Sequence, residues 1–199
     1  MTINGEEFNA EQFKLLAEQL SIPDLDMGVK YYSPAERGHY LEPVAVKDFN
    51  EQYKTNYKQV DNELIEKNNY NDYIGVSPDA YIKDKQAQIT NALEIKCLGA
   101  ENHLHAYYTL FMDEKNGNTS APQQQVKELE FYPQLLQYFI VIPTLENIIL
   151  YFYNPLFKSE KLKRFFVKLT LSDVFNDMSE LLTLEKETVK KIKEVKNLL

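Results

Sequence analysis

The chain has 199 residues, 44% of them hydrophobic and 26% charged, which is room for one well-buried core and short for two independent domains. A single cysteine excludes an intramolecular disulfide and a cysteine-based zinc cluster and fits a reducing cytosol, and no run approaches the ~18–20 apolar residues of a membrane span. A net charge of −8 argues against a general nucleic-acid binder, which needs Lys and Arg to neutralise phosphates, but leaves room for an enzyme whose carboxylates hold metal ions and whose basic segments line a channel. Glu6, Glu7 and Glu11 are foreign to a signal peptide, so an intracellular, cytoplasmic protein with no membrane partner is expected.

In chain order, the first predicted element is a helix over 9–20, with a cap at Asn9 and Phe13, Leu16, Ala17 and Leu20 at helical spacing. The stretch Ser21–Tyr32 holds Pro23 and one cation, Lys30. A second helix is expected from Ser33 or Pro34 to about Tyr53. Ser33 caps it, Pro34 takes the first helical position and Glu36 the capping-box position. Leu41, Val44, Ala45 and Phe49 define its buried face, and Gly38 and Glu42 share a side one turn apart. Residues 54–71 are polar and leave room for a strand or two that extend a sheet.

From Tyr73 to Cys97 the pattern is that of a β-hairpin, with Ile74, Val76, Tyr81 and Ile82 before the turn Lys83–Gln86 and Ile89 through Cys97 after it. The period of two puts Glu94 and Lys96 on one face of the second strand and Leu93, Ile95 and Cys97 on the other. Pro78 lacks an N–H, so it favours an edge or bulge that turns Asp79 toward the hairpin partner. Two carboxylates and a lysine then stand within reach of one point. A bare E-x-K is ordinarily a surface ion pair of little energy. With Asp79 added, the trio suits metal-assisted phosphodiester hydrolysis: hard carboxylate oxygens hold Mg²⁺ against a phosphate, and Lys96 orients or deprotonates a water.

Downstream, His103 and His105 lie two apart, on opposite sides of a helix, and read as surface or interface histidines rather than metal ligands. Asp113–Gln125 reads as a mobile loop. Val126–Val141 reads as an apolar helix in which Pro133 marks a start and Gln134, Gln137 and Tyr138 form a polar stripe, where an amide can hold water or phosphate. Asn147–Tyr153 and Phe165–Leu171 are buried strands. Lys158, Lys161, Lys163 and Arg164 between them form either a solvated tip or a DNA-backbone contact. Ser172–Leu199 is an amphipathic helix or two.

Pro78-Asp79, with Glu94-Ile95-Lys96 following, resembles the core motif of the PD-(D/E)XK nuclease superfamily. Gly38 and Glu42, Ser77-Pro78-Asp79, Leu93–Cys97, Gln137 and the strand ending at Tyr153-Asn154-Pro155 together resemble the lambda-exonuclease (YqaJ-type viral recombinase) branch. That resemblance implies one α/β nuclease domain over 1–199, with a core at 33–171, a helical extension at 172–199 and a central mixed sheet of about five strands flanked by helices. It implies a Mg²⁺-dependent exonuclease of linear double-stranded DNA, acting 5′-to-3′ in phage-type recombination, with Mn²⁺ as a substitute metal.

By the same resemblance, Asp79, Glu94 and the Ile95 carbonyl bind the metal, Lys96 activates water, Glu42 completes the acidic site, Gln137 positions the nucleophile and Ser77 touches a phosphate. Lys161, Lys163 and Arg164 are further candidate DNA contacts. Expected partners are double-stranded DNA ends, a single-strand annealing protein and further copies of the chain in a ring trimer, within the bacterial cytoplasm of a phage or prophage host. The family's N-terminal arginine and glycine–serine element has no match in 21–32, and two other readings stand beside the exonuclease. One is an endonuclease or repair-complex nuclease of the same fold, and the other is a catalytically silent DNA-binding subunit.

Overall fold

The computed structural model describes residues 2–3, 6–7, 9–22, 33–60, 66–68, 71–112 and 121–196. Two short strands, β1 (Thr2–Ile3) and β2 (Glu6–Glu7), pair with each other ahead of α1 (Ala10–Leu20). Asn9 accepts the Gln12 N–H at 2.9 Å, and the Gln12 side chain accepts the Asn9 N–H at 3.0 Å, a reciprocal cap. In α2 (Pro34–Tyr53), Ser33 accepts the Glu36 N–H and Pro34 stands where a missing donor costs nothing.

The polar stretch that follows contributes β3 (Lys58–Gln59) and β4 (Glu66–Asn68), and β5 (Asn71–Val76) pairs with β4 in a separate two-stranded sheet. The predicted first hairpin strand is therefore two strands: Ser77-Pro78-Asp79 interrupts it, and only β6 (Ala80–Lys83) pairs with β7 (Ile89–Lys96). The turn between them is held by Asp84, whose carboxylate accepts the N–H groups of Gln86 and Gln88, both at 2.9 Å.

β7 continues into α3 (Ala100–Phe111); α4 (Pro122–Gln125), a 3₁₀ turn (Val126–Glu128) and α5 (Tyr132–Val141) follow, then β8 (Asn147–Tyr153). The apolar run from Val126 is thus not one helix. Leu129, extended at ψ 140°, ends the 3₁₀ turn, and α5 restarts just before Pro133. Of the loop expected over 113–125, residues 113–120 lie outside the described residues and the rest is largely α4. The chain closes with α6 (Glu160–Lys163), β9 (Arg164–Thr170) and α7 (Leu171–Lys196), one helix that packs on α5 and β9.

The main sheet has the order β3-β6-β7-β8-β9, with β7 and β8 parallel and every other pair antiparallel. A parallel pair needs a crossover, and α3 through α5 supply it. Every residue of β8 is buried, as a strand covered on both faces must be. Its alternation divides the core. Ile149, Tyr151 and Tyr153 pack with Leu41, Ala45 and Phe49 of α2 on one face, while Ile148, Leu150 and Phe152 pack with α3 and α5 on the other. β7 obeys the same rule: Leu93, Ile95 and Cys97 face α2, which leaves Glu94 and Lys96 facing α5.

His103 departs from expectation. It is fully buried, stacks on Phe157 and hydrogen-bonds the Leu162 carbonyl at 2.7 Å through Nε2; burial pushes its pKa down to about 4. His105, two positions on, is exposed. No helix among the described residues is long and apolar enough to cross a membrane.

Candidate active site

The site forms where β6 stops covering β7. The last strand pair on that side is Ala80 with Leu93. Beyond it, Asp79 donates its own N–H to the Leu93 carbonyl at 3.1 Å, and its carboxylate Oδ2 accepts the Ile95 N–H at 2.6 Å. The side chain thus substitutes for the next residue of a strand. Because the N–H and C=O of one strand residue leave the same edge, the Ile95 carbonyl shares this opening with Asp79.

On the α5 face, Glu94 and Lys96 are knitted together. Lys96 Nζ donates to Glu94 Oε1 at 2.7 Å and to Gln134 Oε1 at 3.1 Å, and it sits 4.6 Å from the centroid of the Phe131 ring. Gln134 Nε2 donates to Glu94 Oε1 at 2.9 Å, and the Tyr138 hydroxyl donates to Glu94 Oε2 at 2.6 Å. Tyr138 also lies 2.9 Å from the Ser77 carbonyl, which ties α5 to the segment that precedes Asp79. Burial first, and then the Glu94 charge, raise the Tyr138 pKa, so the phenol remains a donor. The Glu94 side chain is only 5% exposed, and these bonds satisfy a carboxylate that would otherwise be costly to bury.

Glu42 approaches from α2 and adds negative charge near Asp79 and Cys97. A methyl group at Gly38 would meet Glu42 Oε1 at 3.4 Å, an ordinary contact, so the glycine leaves room beside the carboxylate without being required by it. Burial pushes the Asp79 carboxyl up to about 8. The charges of Glu94 and Glu42 push the same way, and the Ile95 N–H and Lys96 oppose them. Burial and the charges of Glu42 and Asp79 likewise hold the Cys97 thiol at about 12, which makes it inert.

This crowding of carboxylates is a charge that a cation would offset. No three His, Cys, Asp or Glu side chains among the described residues are arranged to hold a metal by themselves. Asp79, Glu94 and the Ile95 carbonyl are hard oxygen donors of the kind Mg²⁺ prefers.

The remaining predicted residues fall differently. Ser77 borders a cavity of about 380 Å³ together with Gln134 and Gln137. Gln137 is not in the hydrogen-bond network: its Nε2 is buried with no partner among the described residues, and Gln134, one turn earlier, bridges Glu94 and Lys96 instead. Helical spacing puts both glutamines on one stripe, and only the packing of α5 on β7 chooses between them. Gln134→Ala is expected to lower the rate of the phosphodiester hydrolysis expected from the sequence by about tenfold or more, and Gln137→Ala by less, in single-turnover assays on the two purified variants.

Arg164 does not reach out to solvent. Its side chain is 14% exposed, pairs with Asp48 at 2.9 Å and Glu160 at 2.6 Å, and so braces β9 against α2. Lys163 pairs with Glu160 at 2.6 Å, and Lys161 is exposed with Nζ 5.4 Å from the Tyr107 ring centroid. Of these three, Lys161 alone has no carboxylate partner among the described residues. Sequence reasoning passed over Arg37, which lines a second cavity with Lys96. Its position beside Gly38, one turn before Glu42, was the available signal. The N-terminal element sought in 21–32 lies largely in 23–32, outside the described residues.

The family profile described as the YqaJ-like viral recombinase domain matches residues 6–141. Among solved structures, the chain is similar to an alkaline exonuclease (LHK-Exo) from Laribacter hongkongensis, with 16% identity, 98% of this chain and 90% of that chain covered, and a TM-score of 0.50. A structure of LHK-Exo in complex with dAMP aligns at 18% identity over 96% of this chain and 88% of that one, with a TM-score of 0.49. A phage related exonuclease from Haemophilus somnus 129PT aligns at 12% identity over 92% and 83%, with a TM-score of 0.45. The first of these supports a shared fold and nothing finer. No curated protein sequence matched the chain.

Proposed function

The chain belongs to the YqaJ-like viral recombinase domain family, and from that premise we propose that it is a Mg²⁺-dependent exonuclease that hydrolyses phosphodiester bonds of linear double-stranded DNA. The observation that carries this reading is the buried Asp79 carboxyl, forced up to about 8 beside Glu94 and Glu42 while its Oδ2 is pinned on the Ile95 N–H. A folded protein holds such a repulsive cluster in place when a cation offsets it. Asp79, Glu94 and the Ile95 carbonyl would hold the metal, with Mn²⁺ able to replace it. When bound, the metal polarises a phosphate oxygen and acidifies water.

The chain's own residues do the rest. Lys96 is fixed from three sides by Glu94, Gln134 and Phe131, so one of its three donors is free to orient the attacking water and offset charge on the phosphate. An ammonium has no lone pair, so while it is paired with Glu94 it positions the water rather than deprotonating it. Tyr138 and Gln134 hold Glu94 against rotation, and the hydrogen bond from Ile95 does the same for Asp79. The 5′-to-3′ direction, the single-strand annealing partner, the ring trimer and a site of action in the bacterial cytoplasm rest on the family resemblance alone.

The test is digestion of a linear duplex beside nicked and closed circles, with Mg²⁺ or with EDTA. Loss of the linear substrate only, and only with Mg²⁺, is the expected result. Cutting of the closed circle would make the protein an endonuclease, and cleavage of nothing would leave a binding subunit.

A further inference from the structure

Beyond Lys96 the cleft continues into a second cavity of about 460 Å³, between the start of α2 and the start of α3. Ser33, Arg37, Lys96, Gly99 and Asn102 are among its lining residues, and none of the described residues that line it is Asp or Glu. On a chain with 30 acidic and 22 basic residues, a cavity lined by Arg37 and by no carboxylate among the described residues stands apart, and Lys96 lines it with its ammonium held by Glu94. Glu42 lies behind Gly38, and Glu101 sits exposed in the first turn of α3.

The guanidinium is placed with little slack. A Cβ added at Gly99 would lie 3.1 Å from Arg37 Nη1, closer than side chains normally pack, so the glycine lets the arginine press against the N-terminus of α3. No side chain caps that helix, whose first N–H groups carry partial positive charge. The field of Arg37 reaches inward, where it adds to the burial that lowers the His103 pKa and opposes the burial that raises the Cys97 thiol.

The cavity shares Ile95 and Lys96 with the catalytic opening and runs on to Gly99. Four residues span at most about 14 Å, the scale of one or two nucleotides.

We propose that this cavity is a phosphate subsite, in which Arg37 holds a backbone phosphate of the bound DNA strand next to the one being cut. Arginine suits the task because its planar fork grips two phosphate oxygens at once. The inference rests on the nuclease reading of the adjoining site, and it names a residue and a ligand group which that reading does not use.

The test measures binding of a short duplex to the full-length protein across a salt series, in EDTA and with Ca²⁺, for the wild type, Arg37→Ala, Arg37→Lys and Gly99→Ala, each checked by thermal melting. Arg37→Ala should weaken binding about tenfold and lower the slope of log K against log salt by about one. Arg37→Lys should keep the slope, and Gly99→Ala, which displaces the guanidinium without removing charge, should fall between. In cleavage assays the Arg37→Ala effect should appear mainly in KM.

A duplex with a 5′ hydroxyl beside one with a 5′ phosphate locates the phosphate. An equal Arg37→Ala penalty on both supports an internal diester, and a penalty only on the phosphorylated end supports a terminal monoester. Wild-type affinity and slope in a well-folded Arg37→Ala would overturn the subsite. A wild type that binds duplex yet cleaves nothing with Mg²⁺ would overturn the nuclease reading, while the slopes still decide whether a phosphate sits against Arg37.

Discussion

Asp79→Asn is expected to abolish DNA cleavage and, at pH 8 without metal, to make the protein more stable. The carboxyl is buried beside Glu94 and Glu42, so its pKa in the folded chain is about 8, against an ordinary value of 3.8. Between those two values the folded state keeps a proton that the unfolded state has lost. Stability of the metal-free protein therefore falls as pH rises from about 4 to about 8, by at most about 1.4 kcal/mol per pH unit, and levels off above. Asparagine carries no charge, and its carbonyl oxygen can still accept the Ile95 N–H, so the variant should lose this slope. Activity should fall by more than the roughly 10–100-fold that follows loss of a group supporting a metal ligand. Denaturant unfolding of both proteins from pH 4 to 9, with and without Mg²⁺, checks the prediction. Mg²⁺ should restore the stability of the wild type at pH 8 and do little for the variant. Parallel pH profiles for the two would show that Asp79 does not titrate as described.

Lys96→Ala is expected to lower kcat by about 10²–10³-fold, the range for a positioned donor that offsets developing charge, and to cost stability as well. Glu94 is 4% exposed, and removing the cation bonded to it strands a buried carboxylate, a defect of about 3–5 kcal/mol. The donors on Gln134 and Tyr138 remain and soften that cost. The double variant Lys96→Met with Glu94→Gln separates the two effects, because it removes both charges while keeping the volume at both positions and an amide at 94 that can still pair with Gln134 and Tyr138. It should recover most of the stability and none of the activity, measured by urea unfolding and by single-turnover cleavage. A double variant as unstable as Lys96→Ala would mean that packing, not the stranded charge, sets the cost.

The hydrogen bonds around Glu94 explain why the site could be only partly read from the chain. Local pattern carried the parts that depend on a single strand or helix. The period of two put Glu94 and Lys96 on one face, the Ser33-Pro34 start set the register of α2 and with it Glu42, and Pro78 marked the break that frees Asp79. Where two elements meet, pattern went astray. Gln134 and Gln137 are equivalent on an isolated helix, and the depth at which α5 settles on β7 brings Gln134 to Lys96 while burying the Gln137 amide. Arg164 was one cation in a basic run until the β8–β9 pairing set it beside Asp48, and His103 was a surface histidine until α3 turned it onto Phe157.

By itself, then, the order of residues determined the α/β class, the strand that bears the E-x-K and the helix that bears Glu42. Each of these follows from short-range periodicity and from residues with restricted backbones, which act before any distant contact exists. Only the tertiary structure decided that Asp79 would close the open edge of β7 at Ile95, that Gln134 and Tyr138 would clamp Glu94, and that Arg37 would press against Gly99 beside Lys96. Those outcomes depend on angstrom-level distances between segments up to 62 positions apart, which burial and packing set and which no local spacing encodes.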